Sequence, residues 1–136
     1  MRPKNPRRRG AAAVELALLL PLLAFLFVIS VDYARIFYCT MIVTNCARSG
    51  ALYASQNPTT ANDATNIVAE AARDAPDLIF SDLRITSTTD SAANPTWVAV
   101  TVTYPFSTIT NFPGINRTTQ LTRTVRMDVA PWTPNP

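Results

Sequence analysis

Residues 7–37 read RRRGAAAVELALLLPLLAFLFVISVDYARIF, and the fold of the chain turns on them. From Ala11 to Val31 there are 21 residues with one charge, Glu15. Wound as a helix they are about 31 Å long, close to the thickness of the hydrocarbon core of a bilayer. Arg2, Lys4, Arg7, Arg8 and Arg9 precede the run, and no acid precedes Glu15. From Asp32 onward seven basic residues face eight acidic ones, a net of −1. The net charge of +3 therefore belongs to the N-terminal segment and not to a basic domain surface. Nucleic-acid binding needs a basic patch on a folded face, and the sequence offers none. Basic residues beside an apolar run are instead a topology signal: the flank rich in Lys and Arg stays in the cytoplasm. The expectation is a single-pass protein of the cytoplasmic (inner) membrane, N-terminus inside, with the lipid bilayer as its first partner.

Other readings of the same segment are weaker. A cleaved secretory signal has a shorter apolar core and small residues at the cut; Val28-Ile29-Ser30 is the nearest approach. A lipoprotein signal needs small residues before a cysteine, and Tyr38 precedes Cys39. Arg8-Arg9 starts like a twin-arginine signal, but the residues after the pair do not fit one. A plain anchor is the simplest competitor, and Glu15 speaks against it. A charged side chain at mid-bilayer costs ~2.5–3.5 kcal/mol, less near a helix end, and such a residue calls for a partner. No Lys or Arg comes after it until Arg35, some ~30 Å further along a helix. Arg8 and Arg9 reaching back along the helix is the simplest pairing.

Gly10 after a basic segment, Ala11, Val14-Glu15, Leu20-Pro21 and Asp32-Tyr33-Ala34-Arg35 together resemble the TadE-like family, minor pseudopilins of the tight-adherence (Tad, Flp-type) pilus system. The resemblance covers roughly residues 7 to 50. It implies cleavage by a prepilin peptidase between Gly10 and Ala11, which leaves Glu15 at position five of the mature chain. It also implies other pilins or pseudopilins and the Tad assembly platform as partners. The new α-amino group of Ala11 on a neighbouring subunit then becomes the cation that Glu15 lacks, and the pair fixes register between subunits. Position one is Ala11 and not the phenylalanine of ordinary type IV pilins, which favours a pseudopilin. Pro21 removes one helical hydrogen bond. It reads either as a functional kink or as a tolerated one, since neighbouring groups in a membrane compensate.

Asp32 to Gln56 contains no proline and one glycine, Gly50, so the helix is expected to run on to about residue 55, with Cys39, Ile42, Cys46 and Tyr53 along one stripe. Asn57-Pro58 is its stop. Cys39 and Cys46, seven apart on a helix, lie about 10.5 Å from each other, too far for a disulfide. They read as small core residues, with an intermolecular bridge as the alternative. A second helix is marked by Thr60 and Asp63 as a capping box, by the apolar series Ala64, Ile67, Val68, Ala71, Ala72 and Ala75, and by Pro76 as its end. Its alanine-rich face suits packing on the domain's own sheet or docking a partner.

Strands are expected at 83–88, 97–104 and 118–129, with Val98, Val100, Val102 and Tyr104 on one side of the second and Leu121, Val125, Met127 and Val129 on one side of the third, Arg123 being the exception there. Asn94-Pro95 and 111–114 read as turns. Residues 131–136, with three prolines, read as an extended tail in which Trp132 is a local anchor. Asn116-Arg117-Thr118 matches a glycosylation acceptor, a match too short to carry weight.

The fold class is thus α+β: a basic segment 1–10, a transmembrane helix 11–31 continuing to about 55, an extracytoplasmic domain 32–130 with one further helix and an antiparallel sheet of three or more strands, and a tail 131–136. The chain has no histidine, which removes the usual base of nucleophilic triads and the commonest metal ligand. Its outer acids show no pairing with a nucleophile. No catalytic residue, metal site, cofactor or small-molecule substrate is expected. The function expected is structural, in pilus assembly or a related secretion machinery; the alternative is a membrane-anchored or secreted binding module.

Overall fold

The structure, a computed structural model, describes residues 7–75, 82–110 and 116–131, with the backbone alone for 7–9. Its axis is α1, Arg7–Ala54, a single helix of 48 residues, about 72 Å by helix rise. Alanine and leucine supply the helix propensity of its first half, and the helix continues through Pro21. Residues 10–30 are all exposed. The second half behaves differently: Val43, Cys46, Ala47, Gly50, Ala51 and Ala54 are buried at spacings of three and four, which is one helix face. Cys39 and Tyr53, expected on this stripe, sit at its margins and are half-buried. The small residues at its centre let other elements approach the helix axis closely.

Asn57 ends α1's run and starts α2, Pro58–Ala61. Its side-chain oxygen accepts from the amides of Thr59 and Thr60, both at 2.9 Å, while Thr60 Oγ1 accepts from the Asn57 amide at 3.1 Å. The capping box is therefore Asn57 with Thr60, not Thr60 with Asp63. Asp63 caps α3, Ala64–Arg73, by accepting from the Asn66 amide at 3.1 Å. One expected helix is two because Pro58, whose missing N–H is harmless at a first turn, favours a start of its own. Within the apolar series, Ile67, Ala71, Ala72 and Ala75 are buried, Val68 is half-buried and Ala64 is exposed. The helix ends at Arg73 with Asp74 as its cap; Pro76 lies outside the described residues. α3 lies chiefly along α1 and touches the sheet at β1. The hydroxyl of Ser49 donates to the Asp74 carboxylate across the two helices.

The sheet is an antiparallel meander, β1 (Arg84–Asp90), β2 (Trp97–Ser107) and β3 (Thr118–Asp128), in that order. The Asp90 carboxylate accepts from the amides of Ala92 and Ala93 and starts the β1–β2 connection. Val98, Val100 and Val102 are fully buried against α1, as their alternation requires. β2 runs three residues past the expected Tyr104. Its pairing with β1 reaches only Arg84↔Thr103, whereas β3 accompanies it to Ser107. Pro105 thus falls where β2 is an edge on one side, a place that tolerates a missing N–H. The outer face is polar, with hydroxyl pairs Thr101–Thr124 at 2.8 Å and Thr103–Thr122 at 3.1 Å. After β3 the Ala130 amide donates to the Ser55 carbonyl at 2.9 Å and ties the chain to the far end of α1. The expected turn at 111–114 and Trp132 lie outside the described residues.

Candidate functional site

Two regions of α1 carry unusual chemistry. The first is its start. Gly10 and Ala11 are exposed within the helix. A Cβ built on Gly10 meets nothing within 4 Å. Helical glycine is less favourable than alanine by about 1 kcal/mol, and neither packing nor backbone conformation calls for it here. Glu15 is exposed one turn further on. The ion pairs found among the described residues, Arg35–Asp32 and Arg73–Glu70, do not involve it. Pro21 is likewise exposed. The side chains of Arg7, Arg8 and Arg9 lie outside the described residues. Among those residues α1 is the one helix long and apolar enough to cross a membrane, and its most apolar window has no residue buried in the fold.

The second region is Asp32, the first residue after the apolar run and 6% exposed. Its carboxylate gathers donors from the turn beyond β2 and from Arg35 on α1. Oδ1 accepts from the Ile109 amide at 3.0 Å, and Oδ2 from the Thr110 amide at 3.1 Å and the Thr110 hydroxyl at 2.5 Å. Arg35 Nη1 reaches Oδ1 at 3.3 Å and the Ser107 carbonyl at 3.4 Å. The Arg35 guanidinium also lies 5.2 Å from the centre of the Phe106 ring, within cation–π range. The acid at the end of the apolar run is thereby clasped to a turn some 77 residues away in sequence.

These bonds hold the Asp32 carboxyl at about 2, below its ordinary 3.8. The Thr110 hydroxyl is the largest cause and the Ile109 amide the next; burial opposes them. A depressed carboxylate stabilises the fold above its unfolded value and ceases to do so as pH falls through its folded one. The clasp should accordingly be intact above pH 4 and open only towards about 2. The amide resonances of Ile109 and Thr110, monitored by NMR in detergent micelles, should titrate with a midpoint near 2. A midpoint at the ordinary aspartate value would show that the bonds do not form. Asp32→Asn should abolish the titration and shift both amides, because its NH2 group opposes one of the donors.

Cys39 is half-buried and Cys46 buried; both are free thiols on one continuous helix. Burial pushes Cys46 up to about 11 and raises Cys39, whose nearby Arg35 works the other way. Among the described residues no group of three acids or cysteines is placed to hold a metal ion.

The structure thus places Gly10, Ala11 and Glu15 together on one exposed helix end, and Pro21, Cys39 and Cys46 further along the same rod. It brings none of them to Asp32. The role of Asp32 was not legible in the sequence, where it stands out only by its place before Tyr33 and Arg35. One signal was present: an acid directly abutting an apolar run needs donors, and a hydroxyl-bearing turn such as Thr108-Ile109-Thr110 supplies them.

A family model described as TadE-like protein matches residues 10–52. The match opens at Gly10 and closes two residues before the end of α1, so it coincides with the helix and leaves the sheet outside. It falls on the same stretch that resembles the family in sequence. No curated protein and no solved structure matches the chain.

Proposed function

We propose that the chain is a TadE-like pseudopilin: a structural component of a Tad (Flp-type) pilus or related secretion machinery, cut after Gly10 by a prepilin peptidase and assembled through α1. The observation that carries this reading is Gly10. It is a glycine the fold does not need, at the first residue of the family match. A requirement from outside the fold accounts for it, and a peptidase that reads glycine before the cut is such a requirement.

In this reading the basic residues hold the N-terminus in the cytoplasm, residues 11–31 span the inner membrane, and the domain built on residues 42–54 lies on the far side. Cleavage frees the α-amino group of Ala11, which pairs with Glu15 of an adjacent subunit. Buried polar pairs of this kind are well attested as register devices. The bilayer, the peptidase, other pilins and the Tad assembly platform are the partners.

The test is the mass of the mature chain, expressed in a cell that carries a Tad-type prepilin peptidase. The expected N-terminus is Ala11. An intact Met1 would refute processing and favour a plain anchored module; a cut near Ser30 would make the segment a secretory signal.

A further inference from the structure

The Asp32 clasp lies level with the end of the apolar run, and the side chains around it have a chemistry of their own. Ile109 is fixed by its amide to Asp32, yet its side chain is 60% exposed. Tyr33 and Phe37 on α1 are 72% and 62% exposed. Successive helical residues turn by about 100°, which puts Tyr33 about 100° and Phe37 about 140° around the axis from Asp32. Phe37 stands roughly 7.5 Å beyond Asp32 by helix rise, and the polar layer of a bilayer is on the order of 6 Å thick on each side. Tyr33 and Phe37 thus lie about 40° apart on one side of the helix, and Asp32 occupies the sector about 100° from the nearer of them. The turn covers that sector and sets Ile109 over it.

We propose that Ile109 and Tyr33 form a partial collar that seats in the interfacial layer of the leaflet nearest the domain, with Phe37 just past its outer limit and Asp32 as the positioning residue that holds Ile109 at that depth. The occupant is a lipid surface. The collar is continuous with the exposed apolar span, and the amphipathic ring of tyrosine favours the headgroup level. A bare carboxylate at this depth would draw water in; one satisfied by Ile109, Thr110 and Arg35 does not. The outer domain then rests on the membrane and does not stand clear of it. This inference rests on the reading of residues 11–31 as the span.

The test uses the full chain in vesicles of phosphatidylcholine and phosphatidylglycerol. Ile109→Cys, Tyr33→Cys, Leu18→Cys and Thr124→Cys are made singly in a Cys39→Ala, Cys46→Ala background and labelled with a small fluorophore. The labels at 109 and 33 should be quenched roughly threefold more by shallow nitroxide lipids than by aqueous iodide, as befits an interfacial site. The label at 124, on the outer sheet face, should show the reverse. Adding Asp32→Asn should turn the 109 label towards iodide and leave the one at 18 unchanged. A 109 label that behaves like the one at 124, or that is shielded from both quenchers by protein, overturns the collar. A 109 label unmoved by Asp32→Asn overturns the role of the clasp. If the label at 18 escapes deep nitroxide lipids, the span reading falls and the collar with it; a deep 18 with an aqueous 109 sinks the collar alone.

Discussion

Gly50→Leu is expected to destabilise the packed domain strongly while leaving the exposed apolar half of α1 helical. A Cβ at residue 50 would stand 3.0 Å from the Ala71 Cβ, 3.2 Å from Val100 Cγ1 and 3.4 Å from the Ile67 carbonyl oxygen. These atoms belong to α3 and β2, so the added side chain is closed in from both layers. Overpacking a tight core by a methylene or so costs about 1–3 kcal/mol, and leucine adds four carbons. Against a domain stability on the order of 5–15 kcal/mol, a loss of 3 kcal/mol or more (roughly a hundredfold in the folding equilibrium) is large. Gly50→Ala should be much milder, because the gain in helix propensity, about 1 kcal/mol, offsets part of the crowding at Ala71. The check is hydrogen exchange at the amides of Val98, Val100 and Val102 in micelles. Wild-type protection in Gly50→Leu would mean that α3 and the sheet do not close on α1 as described.

If the chain is cut and assembled as proposed, Glu15→Ala should have the largest effect on function and none on the domain. Glu15 lies on the exposed part of α1, far along the rod from the buried face that begins at Ile42. Removal of the first ten residues should proceed, since the cut and the acid are five positions apart. Assembly should fail. At ~4 Å and an effective dielectric of about 20 an amine and a carboxylate attract by about 4 kcal/mol before desolvation is subtracted. A net loss of even ~1.5–3 kcal/mol is a ten- to hundredfold drop in incorporation. Crosslinking to partner pilins in the membrane, with the mature mass measured in parallel, separates the two steps. Wild-type incorporation of Glu15→Ala would remove the register role.

The parts of this fold that sequence made legible share one property: their signal is local. The apolar run, the lack of a breaker before Asn57 and the alternation of Val98, Val100 and Val102 each reside in neighbouring residues. α1 and the three-stranded meander were therefore expected in the right order. The spacing alone misplaces the capping box: Thr60 and Asp63 are three apart, and so are Asn57 and Thr60, and only the start of a separate turn at Pro58 decides between them. The face of α3 was legible but not its packing partner, since small residues suit a helix as well as a sheet. Gly50 stands out in the sequence only as the one glycine between Asp32 and Gln56; that it is the meeting point of α1, α3 and β2 depends on contacts remote in sequence. Asp32 is the extreme case. Its amide donors come from 77 and 78 residues away, and no periodicity reports such a distance.

The continuity of α1 has a geometric consequence. The same 48-residue helix carries the exposed apolar run at one end and forms the spine of the domain core at the other, so nothing between them absorbs a change of phase. Each residue added between Val31 and Ile42 would raise the domain by about 1.5 Å and swing it by about 100° around the rod. One alanine inserted after Asp32 would carry the turn at 108–110 off to the side of that residue. Seven would bring the azimuth back to within ~20° of its origin and leave the domain about 10.5 Å higher. Length in this stretch is thus an angular setting, and the bearing of the domain relative to the apolar run is written in the number of residues between the two.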